Sequence, residues 1–288
     1  MVLDSFLDAL DTTMAQALRG IILSDVDGTF IDDAYQPAMD RVQFASVLAR
    51  WRVIWVSSRT ADELLHLQAA LGHADDAIAE NGGVIVSRDT TLAKQLGAPT
   101  PVDGAWMVRV AAPRDETTAL VRRVFADEGV AVRTFDDIDA EQLAHLSRYS
   151  RDDATRALKR EASAVLINVA STEPGVVRAL AHLRDVGCDV TNGGRWVSVV
   201  RGSNKGEAAR AWLAAARTHT NGNAPRIVAI GDAENDAALL AVADHRFVIA
   251  HIDRGHHPAL ASYPGARTLR QPGIAGWREM LDHLADLD

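Results

Sequence analysis

The sequence predicts an α/β fold: a doubly wound, Rossmann-like parallel sheet split by an inserted α+β domain. Three observations carry this. Short runs that are apolar on consecutive positions, "GIILS" (20–24), "RVIWVS" (52–57), "AIA" (77–79), "RIVAIG" (226–231) and "RFVIA" (246–250), read as strands covered on both faces. Helical stretches such as 39–51 and 61–71 lie between them. The middle breaks the rhythm, with "AWMVRVAA", "AVRTF", "AVLINVA" and "RWVSVV" separated by amphipathic helices near 114–128, 139–147, 151–162 and 174–186. The core is therefore expected over 1–85 and 200–288, and the insert over 86–199.

Taken in order, Leu3, Phe6, Leu7, Leu10 and Met14 form a helical stripe that packs on its own domain or makes a dimer contact. The helix at 61–71 opens with Thr60 and has Glu63 three residues on, a capping-box pattern. Gly129 and Gly187 fit the ends of two helices in the insert. A net charge of −9 argues against nucleic acid or an anionic membrane as the main partner. The single cysteine, Cys188, excludes an intrachain disulfide and a cysteine zinc site. No apolar run reaches membrane-spanning length. The amino-terminal stretch carries Asp4, Asp8 and Asp11 and lacks the basic start of a signal peptide. The expectation is a cytoplasmic monomer or homodimer.

The chemistry lies at strand ends. "LSDVDGTF" (23–30) puts Asp25 and Asp27 two positions apart, a spacing that points both to one side of an extended chain. Crowding like charges at a buried strand end is costly unless something positive sits between them. A second acidic ending follows far downstream in "RIVAIGDAENDAALL", with Asp232, Asn235 and Asp236. If the two strands are neighbours, the carboxylates of Asp25, Asp27, Asp232 and Asp236 converge as hard oxygen ligands suited to Mg²⁺. Ser57 and Ser58 end another strand and can hold phosphate oxygens, while Lys205 starts a helix where an anion is favoured. His251, His256 and His257 match no familiar metal spacing and lie among Gly and Pro. Dinucleotide, Walker and nucleophile-elbow motifs are absent.

The order DVDGT, Ser57, Lys205, GDxxND resembles the haloacid-dehalogenase superfamily of phosphatases over nearly the whole chain, and the position of the insert resembles its class with a large α/β cap. A finer likeness is to the mannosyl-3-phosphoglycerate phosphatase family. It is carried by "SSRTADE" with Arg59, "AENGGVI" (79–85), the segment 135–163 ending in Arg160 and Glu161, and "GGRW" (193–196). Three departures stand out. Asn204 replaces an aspartate that family members tend to carry, no Pro-Phe follows Ser163, and "GDAENDAALL" is nearer the wider sugar-phosphatase pattern.

The resemblance implies that Asp25 is the nucleophile and Asp27 the general acid and base. It also implies Mg²⁺ held by Asp25, the Asp27 carbonyl and Asp232, with Asp236 a further ligand or an orienting group. Ser57, Ser58, Asn235 and Lys205 would hold phosphate. Arg59, Arg160, Glu161 and Arg195 would contact the rest of a phosphorylated sugar; Asn81 and Gly82 would join them or simply make a tight turn. The alternatives are a trehalose- or sucrose-phosphate phosphatase or a broad-range sugar phosphatase, then a phosphomutase or a non-catalytic sensor.

Overall fold

A computed structural model describes residues 18–32, 36–147, 149–169, 172–192, 196–217 and 225–286. The stripe expected over residues 3–14 lies outside them, as does Arg195. The first half of the core runs β1 (Gly20–Ser24), α1 (Arg41–Leu48), β2 (Trp51–Val56), α2 (Ala61–Leu71), β3 (Ala77–Ala79), β4 (Val84–Ser87), α3 (Thr90–Leu96), β5 (Thr100–Val102) and β6 (Ala105–Arg109). The insert follows as α4 (Arg114–Asp127), β7 (Arg133–Thr134), α5 (Ala140–Ser147), α6 (Arg151–Ala157), β8 (Ala164–Ile167), α7 (Pro174–Asp185), β9 (Cys188–Asn192) and β10 (Val197–Arg201). The chain then returns through α8 (Lys205–Arg217), β11 (Arg226–Gly231), α9 (Ala237–Leu240), β12 (His245–Ala250), α10 (Pro258–Ala261), β13 (Ala266–Pro272) and α11 (Ile274–Ala285).

The large sheet has the order β13-β12-β11-β1-β2-β3-β4-β6-β5. Its six strands from β13 to β3 are parallel, and β4, β6 and β5 extend one edge in antiparallel fashion. Strand β1 is buried throughout because both faces are covered. Ile22, Trp55 and Val228 pack with Phe44 and Trp277 on one face; Leu23, Val56 and Ala229 pack with Trp212 and Leu240 on the other. That is why its strands read as unbroken apolar runs. The chain winds from β1 toward β3 on one side and toward β13 on the other, so strand order reverses between β1 and β11. Ligands bind open α/β sheets at that crevice.

Two boundaries differ from the sequence reading. Residues 100–109, expected in the insert, hydrogen-bond into the large sheet through β6 and β4. The second sheet, β7-β8-β10-β9, and its helices draw on residues 114–201. Strand β8 is covered on both faces, with Ala164 and Leu166 against α4 and α7, and Val165 and Ile167 against α5 and α6. The helix expected over 151–162 stops at Ala157, because the N–H groups of Glu161, Ala162 and Ser163 bond the carboxylate of Glu80 instead of continuing the helix. The capping box at Thr60 and Glu63 is formed. Cys188 is a buried member of the insert's core. Among the described residues no helix is long and apolar enough to cross a membrane.

Candidate active site

The site lies where β1 and β11 end side by side. Asp25 follows β1, its N–H donating to the Ile230 carbonyl at 3.0 Å, and Asp232 follows β11. Gly28 turns the chain with φ +81°, and a Cβ there would fall 2.8 Å from Asp232 Oδ2. The glycine of DVDGT is thus required both by backbone conformation and by the closeness of the second acidic strand end. Thr29 Oγ1 donates to Asp232 Oδ1 at 3.1 Å. The turn Glu234–Asp236 folds back so that Asp236 Oδ2 accepts the N–H groups of Asp232 and Ala233, each at 3.1 Å.

The charge missing from these acids comes in part from Lys205. Its ammonium, only 2% exposed, donates to Asp25 Oδ1 at 2.6 Å and to Asp236 Oδ1 at 2.7 Å. It is the first residue of α8, which is capped by Asn204 as Oδ1 accepts the Glu207 N–H at 2.9 Å. Asparagine therefore serves at the position where a family aspartate was expected. One cation does not balance three carboxylates. Burial, opposed by Lys205 and reinforced by Asp236 and Asp232, raises the Asp25 carboxyl well above its ordinary range. Burial and the neighbouring Asp236 push Asp232 up to about 7. For Lys205, burial acts downward, but Asp236 and Asp25 outweigh it and hold the ammonium charged.

Asp25, Asp232 and Asp236 each offer an oxygen within 4.8 Å of the others. Three carboxylates without His or Cys suit a hard divalent cation, and the raised carboxyls of Asp25 and Asp232 are consistent with a site short of positive charge. The donor set fits Mg²⁺. Asp27 stands apart from this set: its carboxylate is 46% exposed and is gripped by Arg59, with Nε to Oδ2 at 2.9 Å and Nη2 to Oδ1 at 2.6 Å. Of the expected metal ligands, its side chain alone is not drawn into the cluster. His251, His256 and His257 join no metal-ligand grouping among the described residues.

Above the cluster opens a cleft of about 1010 Å³, lined on the core side by Asp25, Asp27, Ser58, Asn81, Lys205, Asp232 and Asn235. Ser57 lies beneath, buried, its Oγ accepting the Arg59 N–H at 3.2 Å. Asn235 Nδ2 donates to Asn81 Oδ1 at 3.2 Å, and the Gly82 carbonyl accepts Ser203 Oγ at 2.7 Å, two residues before Lys205. From the insert, Arg160, Arg184, Thr191, Asn192, Trp196 and Ser198 face the same space. Glu161, expected beside Arg160, does not line the cleft; its carboxylate lies 3.9 Å from Arg109. The loop 251–258 closes the far wall with Arg254 and the three histidines, which the sequence singles out only as a spacing that matches no familiar metal site; strand β9 carried no sequence signal.

Fold and centre together define an α/β protein with its acids at the topological switch point of a doubly wound sheet. The match of residues 22–254 to the family described as haloacid dehalogenase-like hydrolase settles the class, and the chain belongs to that family. Among solved structures it is similar to a Thermoplasma acidophilum protein at 15% identity and TM-score 0.63, covering 92% of this chain and 98% of that one. It is also similar to the sucrose-phosphatase of Synechocystis sp. PCC6803 in complex with sucrose and phosphate, at 14% identity and TM-score 0.58 over 92% and 98% of the two chains. A third is the subclass IIB sugar phosphatase BT4131, at 12% identity and TM-score 0.59 over 92% and 99%. At such identities the likeness is one of fold.

Proposed function

We propose that the chain is a Mg²⁺-dependent phosphatase acting on the phosphate monoester of a sugar derivative, with mannosyl-3-phosphoglycerate or its glucosyl counterpart the leading substrate. The observation that supports this best is the buried Lys205 bridging Asp25 and Asp236, with Asp232 alongside, at the crevice between β1 and β11.

In this reading an oxygen of Asp25 attacks phosphorus in line, the ester P–O bond breaks, and an aspartyl-phosphate forms. Asp27 gives its proton to the leaving alkoxide, then takes one from the water that releases phosphate and restores Asp25. Asp25, Asp232 and Asp236, with the Asp27 carbonyl, would hold Mg²⁺, which when bound offsets the repulsion between carboxylate and phosphate. Lys205, Ser58 and Asn235 line the space for the phosphoryl oxygens, where charge spreads in the transition state, with Ser57 buried beneath them. The Asp27–Arg59 pair holds the Asp27 carboxylate at the mouth of the cleft.

A cleft of about 1010 Å³ sits at the upper end for small-molecule sites and suits a glycoside better than a small phosphate ester. Arg160 and Arg184 offer planar donors to a carboxylate, and Trp196 offers a ring face to a sugar. The alternative is sucrose or trehalose phosphate, which lacks the carboxylate that Arg160 and Arg184 would meet. Phosphate release with and without Mg²⁺ from mannosyl- and glucosyl-3-phosphoglycerate, sucrose phosphate and trehalose phosphate separates the readings. The Asp25→Asn variant is expected to lose at least a thousandfold in turnover, about 4 kcal/mol of barrier; retention of more than a few per cent would sink the covalent route.

A further inference from the structure

One buried carboxylate has no part in the reaction above. Glu80 follows β3, is 1% exposed, and takes φ +51°, with Asn81 next at φ +54°. Two successive non-glycine residues in the left-handed region are strained, and the surroundings must hold them there. The Glu80 N–H donates to the Arg59 carbonyl and the Asn81 N–H to the Ser57 carbonyl, both at 2.8 Å. The Glu80 carboxylate accepts the N–H groups of Glu161, Ala162 and Ser163 at 2.8, 3.2 and 2.8 Å, and Ser163 Oγ at 2.6 Å. Three successive N–H groups cupping a carboxylate form an anion nest, and each bond is charge-assisted. All four donors belong to the insert, the acceptor to the core.

The contact continues into the cleft. Ser163 Oγ accepts Arg160 Nη1 at 2.9 Å, and the same nitrogen reaches the Ser58 carbonyl at 3.1 Å. The Arg160 guanidinium carbon lies 5.6 Å over the ring of Phe135, while its buried Nε has no partner among the described residues. The insert approaches so closely that a Cβ on Gly83 would fall 2.6 Å from Ala162 Cβ. Glycine is needed there for the segment to dock.

We propose that Glu80 is a positioning residue: its carboxylate seats the Arg160–Ser163 segment on the core and so sets Arg160 over the cleft to engage the leaving group, not the phosphoryl group. The proposal rests on the phosphatase reading above. Arg160 is the group that touches substrate, and Glu80 acts through it.

The test compares the best-hydrolysed sugar phosphate of the panel with p-nitrophenyl phosphate, whose small leaving group makes little use of the insert. Glu80→Gln keeps the size but places an amide among N–H donors. It is expected to lower kcat/KM for the sugar phosphate at least twentyfold, mainly through KM, and that for p-nitrophenyl phosphate less than threefold. Ser163→Ala should move both in the same direction by less. In an Arg160→Ala background, Glu80→Gln and Ser163→Ala should each add less than twofold, as expected of residues acting through one partner. Equal losses on both substrates in a folded variant, or additive losses in the double variants, would overturn the proposal. If Glu80→Gln does not fold, the Ser163→Ala cycle alone decides. Wild-type protein that releases no phosphate from either substrate in an Asp25-dependent way overturns the phosphatase reading, and this inference with it.

Discussion

The floor and the roof of the cleft are built on opposite principles. On the floor, Asp25, Asp236 and Lys205 are almost wholly buried, and the carboxyl groups of Asp25 and Asp232 hold their protons more tightly than usual because water has been removed from them. On the roof, two of the insert's carboxylates, Asp137 and Asp153, do the reverse, while Asp189 of β9 is raised by burial as the floor acids are. At Asp137 and Asp153 burial acts upward, but hydrogen bonds from Thr134 and Ser150, with Arg122 and Arg156 beside them, together outweigh it and favour the charged form. A region that concentrates uncompensated charge is organised for chemistry; charges paired locally, as at Asp137 and Asp153, help a region keep its shape. Reaction and recognition are thereby separated in space. In this protein the two are joined chiefly where the insert's Arg160–Ser163 segment meets Glu80 and the Ser57–Arg59 loop.

The sharpest way to break this contrast is to remove Lys205, the cation buried in the floor. Lys205→Met keeps the volume and leaves Asp25 Oδ1 and Asp236 Oδ1 facing each other unpaired. Leaving a buried ion pair half-made typically costs about 3–5 kcal/mol of stability, and losing a preorganised donor typically costs about 3 kcal/mol of barrier. Phosphate release is expected to fall at least a hundredfold, and thermal unfolding of the metal-free variant to shift down by several degrees. A variant that loses activity at unchanged stability would mean that the floor is not held by this charge balance.

The same contrast explains what was legible in the sequence. The floor is written in short local strings: Asp25 to Gly28, Ser57, Lys205 and Asp232 to Asp236 each end a strand or start a helix, and the buried strands beside them leave few ways to arrange such ends. Their convergence follows from parallel pairing of β1 with β2 and β11. The roof has no such strings. The Glu80 contact joins residues 81 to 83 positions apart, and Arg59 reaches Asp27 across 32 positions. Periodicity continued the helix from 151 to 162 because nothing local shows that Glu80 will take the N–H groups of residues 161–163. For the same reason β5 and β6 read as part of the insert: an antiparallel edge strand and an insert strand carry the same local pattern.

A smaller effect would sharpen the border between the two regions. Asp27 belongs to the floor's motif, yet its partner Arg59 lies beneath the insert, where burial is outweighed by Asp27 and the guanidinium is held charged. Arg59→Gln removes the orienting fork without touching the buried cluster. Turnover of an alkyl sugar phosphate, whose leaving oxygen needs a proton, should fall about tenfold, less than the roughly hundredfold or more typical of losing the general acid itself. Turnover of p-nitrophenyl phosphate, whose leaving group departs unprotonated, should change less than threefold. Equal losses would place Arg59 with the phosphate-binding groups of the floor.

The smallest expected effect is one of pH, and it tests the opposite signs directly. Asp232 titrates near 3.8 when unfolded and at about 7 in the folded, metal-free protein. Between those values the folded state binds the extra proton, so stability is highest at the acid end and declines as pH rises from about 4 to about 7. The raised Asp25 carboxyl acts in the same sense. In the insert the lowered carboxyl of Asp137 contributes stability that is present above its unfolded value and lost as pH falls. Metal-free protein should therefore melt at a lower temperature at pH 8 than at pH 5.5. Saturating Mg²⁺ should raise the melting temperature at pH 8 by several degrees and at pH 5.5 by much less, because protons and metal compete for the same oxygens. Asp232→Asn should flatten the metal-free profile, whereas Asp137→Asn should leave it sloping and only shift the acid limb. A Mg²⁺ effect of equal size at both pH values would mean that the ion binds elsewhere than among Asp25, Asp232 and Asp236.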